Sequence, residues 1–551
     1  MAMKTIWNTL MLVRKSHPRA FLTHVSCVLI QSLLPLANLY FLQHLVDSLS
    51  DYQAARYYML GFVAVFLLQR VVTVVATVNT DMLSQRLVDY ISDLIQSQSQ
   101  RLDMGYYDAS WFHDTLHRAQ QEASFRPLEM FNYFMSMLGS AVTLLGLMYI
   151  LAQQSWPIVV IMVVAVLPSF FLRLHKAHVV YSFRRENTQS FRRTSYLSAL
   201  LTQRDFAKEV RVFGLGSYFR QLFVSMRRRI VSRLLSISRR LAAFDLLCAL
   251  FETAALMLVL VLFLRQTFSG TISIGSFVML FEAFRRGQNA IRNVVQSLGG
   301  LYDSRLFAKN LFEFLNLKPR IVSPTHPQPF PEQVDRVDFC NITFRYPDMD
   351  HDVLSHFSLS ATSGAICHIK GENGFGKSTL IKLLLRLYDP DEGSICINGI
   401  DIRQFDLVQL RSHMAVLFQD FVRYYFTAAE NIAFGHLNIN IANGEMVHDP
   451  LSETVEQQKV GDAAKKSGAD DFLVRLPEGY ATPLGRSFDN GAELSMGQWQ
   501  RVALARMFYS DAPIVILDEP TAWMDFDSRT HFNRELETLK SNRIVFLIQH
   551  V

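Results

Sequence analysis

Charge is scarce in this chain. Only 19% of its 551 residues are Asp, Glu, Lys or Arg, and half are hydrophobic. With a mean hydropathy of +0.15, that excludes an ordinary soluble enzyme and requires a part that sits in lipid. Cysteine is thin as well. Cys27, Cys248, Cys340, Cys367 and Cys396 are scattered with no CxxC spacing, which argues against a disulfide framework or a zinc site and for reduced thiols. A strong charge imbalance is also missing: the net charge is +5, which does not mark a nucleic-acid partner. Residues 1–20 lack a cleavage-like end after their short apolar part, so they read as an amphipathic entry helix and not a signal peptide. No internal repeat is evident.

What the chain does hold comes in two halves. The first carries six apolar segments near 21–42, 57–78, 128–151, 156–174, 242–264 and 272–295, each about the roughly 17–25 residues a bilayer span needs. Glu282, Arg285, Arg286 and Arg292 interrupt the sixth. Short connections alternate with two long polar ones, 79–127 and 175–241. The second of these holds Arg184, Arg185, Arg192, Arg193, Arg227, Arg228, Arg229, Arg239 and Arg240. The positive-inside rule puts both long loops, and both ends of this half, in the cytoplasm. A lipid-headgroup or nucleic-acid patch is the rival account of these arginines. Helical patterning in the loops predicts that the spanning helices run on into the cytosol. Arg70, Glu252, Glu282, Arg285 and Arg286 lie within spans, where a charge is costly; they either line a polar cavity or form ion pairs. Pro35 and Pro168 are expected to kink their helices.

Residues 317–333 hold five prolines and no hydrophobic period, which reads as an extended linker. The domain boundaries follow: a membrane domain over 1–316, the linker, and a second domain over 334–551. There, short β-branched runs alternate with helical patterns, the mark of an α/β domain with a largely parallel sheet. GENGFGKST, residues 371–379, fits a phosphate-binding loop between a strand (365–370) and a helix (380–388). Gly371, Gly374 and Gly376 let backbone N–H groups crowd a polyphosphate, with Glu372, Asn373 and Phe375 between them. Lys377 is placed for the outer phosphates, Ser378 for Mg²⁺, and Thr379 completes the loop. In IVILDE, Asp518 is placed to hold Mg²⁺ through water and Glu519 to polarise an attacking water. Gln419, at the end of MAVLFQ, is placed to sense metal and water, and His550 to contact the outermost phosphate. Tyr346 is placed to stack on an adenine. Ser495 and Gly497, with Met496 and Gln498, open an amphipathic helix whose N-terminus again favours phosphate. One chain cannot easily aim two helix N-termini at one γ-phosphate, so a second subunit is expected to supply this one.

Taken together, GENGFGKST, Gln419, LSMGQ, ILDE, the AWMD segment and His550 resemble an ABC transporter of the exporter type, with the membrane domain first and the nucleotide-binding domain second. The resemblance covers almost the whole chain. It implies six membrane helices with long cytoplasmic extensions followed by an α/β P-loop ATPase domain, and two chains sandwiching two ATP molecules with Mg²⁺. It puts Tyr346 on adenine, residues 371–379 on the phosphates, and Ser378 with Gln419 on Mg²⁺. Glu519 is then the catalytic base and His550 the γ-phosphate switch, while Ser495, Met496, Gly497 and Gln498 form the signature acting on the partner's ATP. Residues 106–120 and 207–219 resemble coupling helices. Three departures stand out: Met496 in place of the usual glycine, Trp523-Met524 before Asp525, and a chain that stops one residue after His550, as a truncated domain would. FQDFVRYYFTAAENIAFG and AKEVRVFGLG are similar to bacterial exporters of lantibiotic-type peptides. That implies a protein of the bacterial inner membrane with its ATPase domain in the cytoplasm, moving a modified peptide; the second half-transporter subunit is expected to be another copy, since the full catalytic set permits a homodimer, with a heterodimer as the alternative. No peptidase domain precedes the membrane part, so leader cleavage is not expected. A lipid or multidrug exporter is the alternative, with a non-transporting ATP-gated switch behind it.

Overall fold

The computed structural model describes residues 2–123, 125–347, 349–372, 374–436, 456–486 and 490–549. It divides into two compact units, Met1–Gln100 with Asp114–Leu317, and Arg101–His113 with Lys318–Val551.

The first unit is helical. Its elements are α1 (Ala2–Ser16), α2 (Pro18–Asp47) and α3 (Tyr52–Arg101), then, beyond a short α4 (Met104–Asp108) and α5 (Ser110–Ala123), α6 (Arg126–Gln154) and α7 (Trp156–Glu186). α8 (Thr188–Thr202), α9 (Arg204–Val212), α10 (Gly216–Phe268) and α11 (Ile274–Leu315) follow. Local chemistry sets the starts. His17 caps α2 by accepting the Ala20 N–H at 3.1 Å, and Pro18 fills the first helical position, where no N–H is needed. Ser273 caps α11 through the Ser276 N–H.

Among the described residues, α2, α3, α6, α7 and α10 are long and apolar enough to cross a membrane. The sixth expected span is helical too, as the first part of α11, but its four charged residues set it apart. With 50 and 53 residues, α3 and α10 reach about 75–80 Å, far beyond a hydrocarbon core of roughly 30 Å. The long extensions expected from the sequence are therefore present. Leu60, Leu67, Val71 and Val74 on α3 and Leu246, Leu250 and Met257 on α10 are exposed. Water would reject such faces, whereas lipid accepts them because each helix satisfies its own backbone.

Inside the unit, Leu39, Leu147, Leu151, Met162, Val259, Phe263 and Phe284 form one apolar cluster drawn from five helices. α2 and α6 approach so closely at Gly146 that a Cβ there would lie 2.3 Å from Leu36. α2 and α7 stay helical through Pro35 and Pro168. Ion pairing accounts for most of the intramembrane charges. Glu282 accepts from Arg286 at 2.7 Å and Arg285 at 2.8 Å. Buried Glu252 accepts from Ser169 at 2.6 Å and pairs with Arg292 at 3.4 Å. Arg70 lies 5.3 Å from the Phe66 ring centre.

The second unit holds two four-stranded sheets. β1 (Arg336–Phe344), β2 (Leu354–Thr362), β4 (Glu392–Ile397) and β5 (Ile400–Asp401) form an antiparallel sheet in the order β2-β1-β4-β5. β3 (Ile366–Lys370), β6 (Met414–Leu417), β7 (Ile514–Asp518) and β8 (Ile544–Gln549) form a parallel one in the order β3-β8-β7-β6. The parallel sheet is the one the alternating pattern predicts; its β7 and β8 are buried on both faces. The antiparallel sheet is a finding of the structure, since strand direction depends on where the chain turns back. The proline-rich segment is bound to this unit: Phe330 is buried and stacks on His413 at 4.1 Å. So is the 101–113 tip, where Tyr388 donates its hydroxyl proton to Asp108 and Tyr106 donates to the Lys318 carbonyl.

Candidate functional site: a phosphate cradle with two acids

β3 ends at Lys370, and helix α12 (Lys377–Leu384) begins seven residues later. The turn between them needs glycine. Gly374 and Gly376 have φ of +87° and +76°, and a Cβ on Gly376 would lie 2.8 Å from Leu354. Only a bare backbone fits, so the loop and the start of α12 present N–H groups without side chains in the way. Lys377 is buried and donates to the Gly371 carbonyl at 2.5 Å, which curls its ammonium over the loop. Glu372 and Phe375 are exposed at the rim, and Thr379 is buried. Asn373 and His550, both expected at this site, lie outside the described residues.

β7 brings the acids. Ser378 donates to Asp518 Oδ2 at 3.2 Å. Asp518 is buried, and that burial pushes its carboxyl above the usual range against the opposing Ser378 hydrogen bond. Glu519 leaves the strand with φ +50°, a left-handed turn that swings its side chain off the sheet line. Its carboxylate accepts from Gln419 Nε2 at 3.0 Å. The structure thus brings together Lys377, Ser378, Gln419, Asp518 and Glu519 from three segments far apart in sequence.

One contributor escaped the sequence reading. Gln500 is buried, donates to the Glu519 carbonyl at 3.2 Å and accepts from the Trp523 N–H at 3.1 Å. It ties the helix Met496–Tyr509 to the end of β7 and to the following turn. Its only sequence signal was a polar residue on the apolar face of an otherwise buried helix. Ser495 caps that helix: its hydroxyl accepts the Gln498 N–H, and the Gln498 side chain accepts the Ser495 N–H at 2.9 Å. Gly497 packs where a Cβ would lie 2.7 Å from the Trp523 carbonyl, and Met496 is exposed. Tyr346 is held by its hydroxyl on Thr379 at 3.1 Å, with the Lys382 ammonium 5.1 Å from its ring centre.

Residues 354–522 match the ABC transporter family. The chain is 27% identical to the subtilin transport ATP-binding protein SpaT of Bacillus subtilis, over 100% of this chain and 88% of that one. It is 25% identical to the nisin transport ATP-binding protein NisT of Lactococcus lactis subsp. lactis, over 99% and 89%. An ATP-dependent lipid A-core flippase of Pseudomonas fluorescens is 31% identical over 62% of this chain and 53% of its own length. In fold, the chain resembles a bacterial Atm1-family ABC exporter with ATP bound, with a TM-score of 0.79 and 21% identity over 97% and 91% of the two chains. Residues 354–522 are thus an ABC transporter ATPase domain, and the chain as a whole has the architecture of a multi-pass half-transporter of exporter fold in which ATP hydrolysis is coupled to transport.

Proposed function

We propose that two copies of this chain form a homodimer in a bacterial inner membrane and export a peptide from the cytoplasm. The peptide reading rests on one observation: over the full length of the chain, identity to the subtilin and nisin transport proteins is 27% and 25%, against 23% to a lipid A-core flippase of Syntrophus aciditrophicus. That full-length likeness, and the 31% identity to the lipid A-core flippase of Pseudomonas fluorescens over 62% of the chain, support lipid export as the second reading.

The site's chemistry follows from its donors. Bare N–H groups of the loop bind the phosphates of ATP, and Lys377 leaves its backbone partner for the outer ones. Tyr346 lies against the adenine. Ser378 and Asp518 offer a hydroxyl and a carboxylate, the oxygen donors that suit Mg²⁺. Among the described residues no three His, Cys, Asp or Glu side chains cluster as a metal site. Bound Mg²⁺ supplies neutralisation of phosphate charge. Glu519 orients and deprotonates the attacking water, Gln419 holds the Glu519 carboxylate in place, and His550 contacts the γ-phosphate. Ser495, Met496, Gly497 and Gln498 of one copy close over the ATP of the other, and Met496 presents a thioether where glycine is usual. Closure is passed to the membrane part through the 106–120 and 207–219 segments.

The test is Glu519→Gln in the full-length protein in liposomes. Loss of a general base lowers turnover by about 10²–10⁴-fold, with ATP binding retained. Wild-type turnover in that variant would remove Glu519 from its role.

A further inference from the structure

Glu519 is held in an uncommon backbone state. Its φ of +50° is a left-handed conformation that a residue with a side chain keeps only where its surroundings hold it. Hydrogen bonds grip its main chain on both sides. Its N–H donates to the Ile548 carbonyl at 3.1 Å, and its carbonyl accepts from the Ala522 N–H at 3.3 Å and from Gln500 Nε2 at 3.2 Å. The first two partners are backbone groups; Gln500 is the side chain among them. It is 2% exposed. Ala503, Leu504 and Met507, one and two turns further along the helix Met496–Tyr509, are buried and apolar. A hydrophobic residue of similar volume would fill the place of Gln500 with no polar groups to satisfy, so the amide needs a reason beyond packing.

Both ends of that amide are used. Nε2 donates to the Glu519 carbonyl, and Oε1 accepts the Trp523 N–H at 3.1 Å. The pair demands a donor and an acceptor on one short group: a carboxylate has no donor, and a lysine no acceptor. The two backbone partners bracket the turn after β7, so the amide fixes the turn and, with it, the direction in which the Glu519 side chain leaves the strand. Relaxation of Glu519 to an ordinary φ would redirect its carboxylate, which now accepts from Gln419 at 3.0 Å. Gln500 does not reach that carboxylate; it acts through the main chain. Gly497, in the first turn of the same helix, lies against the Trp523 carbonyl, so the helix meets this peptide at its N–H and at its C=O. Resting on the reading of Glu519 as the base, we propose that Gln500 is a positioning residue for ATP hydrolysis: it holds the Glu519 main chain in the left-handed state that aims the carboxylate at the attacking water, and ties the base to the helix that opens with Ser495–Gln498.

The experiment uses the full-length protein in liposomes and Gln500→Met, which nearly keeps the volume and removes the amide. Turnover across an ATP series gives kcat and KM, and a fluorescent ATP analogue reads nucleotide binding. A misaimed base costs rate and not affinity: kcat should fall by about 10–100-fold, while KM and analogue binding stay within about twofold. The same change is then made together with Glu519→Gln, and hydrolysis is followed in a single turnover. With the base already gone, Gln500→Met should slow that reaction by less than about twofold. A wild-type kcat in Gln500→Met would overturn the proposal. So would the same fractional loss with and without the Glu519 carboxylate, or loss of analogue binding together with turnover, since either makes Gln500 a residue of the fold at large. Glu519→Gln alone decides the base itself. Wild-type turnover in that variant would end both assignments, whereas an impaired Glu519→Gln beside an unaffected Gln500→Met would end only this one.

Discussion

At the scale of single residues, the site sets function against stability. Asp518 is a buried carboxylate beside Glu519, and burial raises its pKa. The native carboxyl therefore holds its proton more tightly than the unfolded one, whose value is about 4. The stability this contributes is fully present below that value and is lost as pH rises through the raised native one. At neutral pH an ionised Asp518 without its cation is a net burden on the fold. Asp518→Asn should accordingly raise the thermal midpoint of the nucleotide-free protein at neutral pH, flatten its decline above pH 4, and abolish Mg²⁺-dependent ATPase activity. Thermal unfolding across pH in detergent, with ATPase assays alongside, checks all three. A variant that unfolds earlier at neutral pH would show that the carboxylate contributes favourable contacts beyond its charge. The glycines at 374 and 376 were legible in the sequence because a loop that cradles phosphate requires bare backbone. Gln500 was not, because its two partners, the Glu519 carbonyl and the Trp523 N–H, come next to it only on folding.

At the scale of elements, the helices of the membrane unit combine an apolar exterior with ion pairs inside. Glu252 on α10 meets Ser169 on α7 and Arg292 on α11, so three helices share one carboxylate. Glu252→Ala would leave the half-exposed Arg292 guanidinium without its carboxylate partner, which should destabilise the protein by less than the roughly 3–5 kcal/mol of a fully buried pair. The double change Glu252→Leu with Arg292→Leu removes both charges and should recover most of that loss. Thermal stability of detergent-solubilised protein distinguishes the cases. If the double variant is as unstable as the single one, the pair serves something other than charge compensation. The sequence flagged Glu252 because a charge within an apolar run needs a reason. It left the choice between cavity and ion pair open, since the partner is 40 residues away in a different helix. α11 shows the same limit from the other side: its charges blur its hydropathy, yet its continuous helix and packing make it part of the bundle.

At the scale of the whole molecule, half-transporters of this family act in pairs, and the proposed homodimer makes each ATP site a joint one. Two doubly defective dimers can then be distinguished. With Lys377→Ala in one subunit and Ser495→Arg in its partner, both defects fall in the same composite site and the other site stays intact. With both changes in one subunit beside a wild-type partner, each site carries one defect. Linked or co-purified dimers should therefore keep a substantial fraction of wild-type ATPase activity in the first arrangement and lose nearly all of it in the second. Equal activity in the two arrangements would refute the shared site.

What the sequence determined by itself is the chemistry and its order along the chain: apolar runs long enough for lipid, a glycine loop that fits phosphate, and acids at the end of a buried strand. These are local properties, fixed by hydropathy, backbone freedom and spacing within a few residues. Only the tertiary structure decided which distant groups meet. It brought Gln419 to Glu519, Ser378 to Asp518, Gln500 to both the end of β7 and the turn after it, and Arg292 and Ser169 to Glu252. It also bound the proline-rich segment and the 101–113 tip to the ATPase unit. Such pairings depend on sheet order and helix packing, which local patterning does not encode.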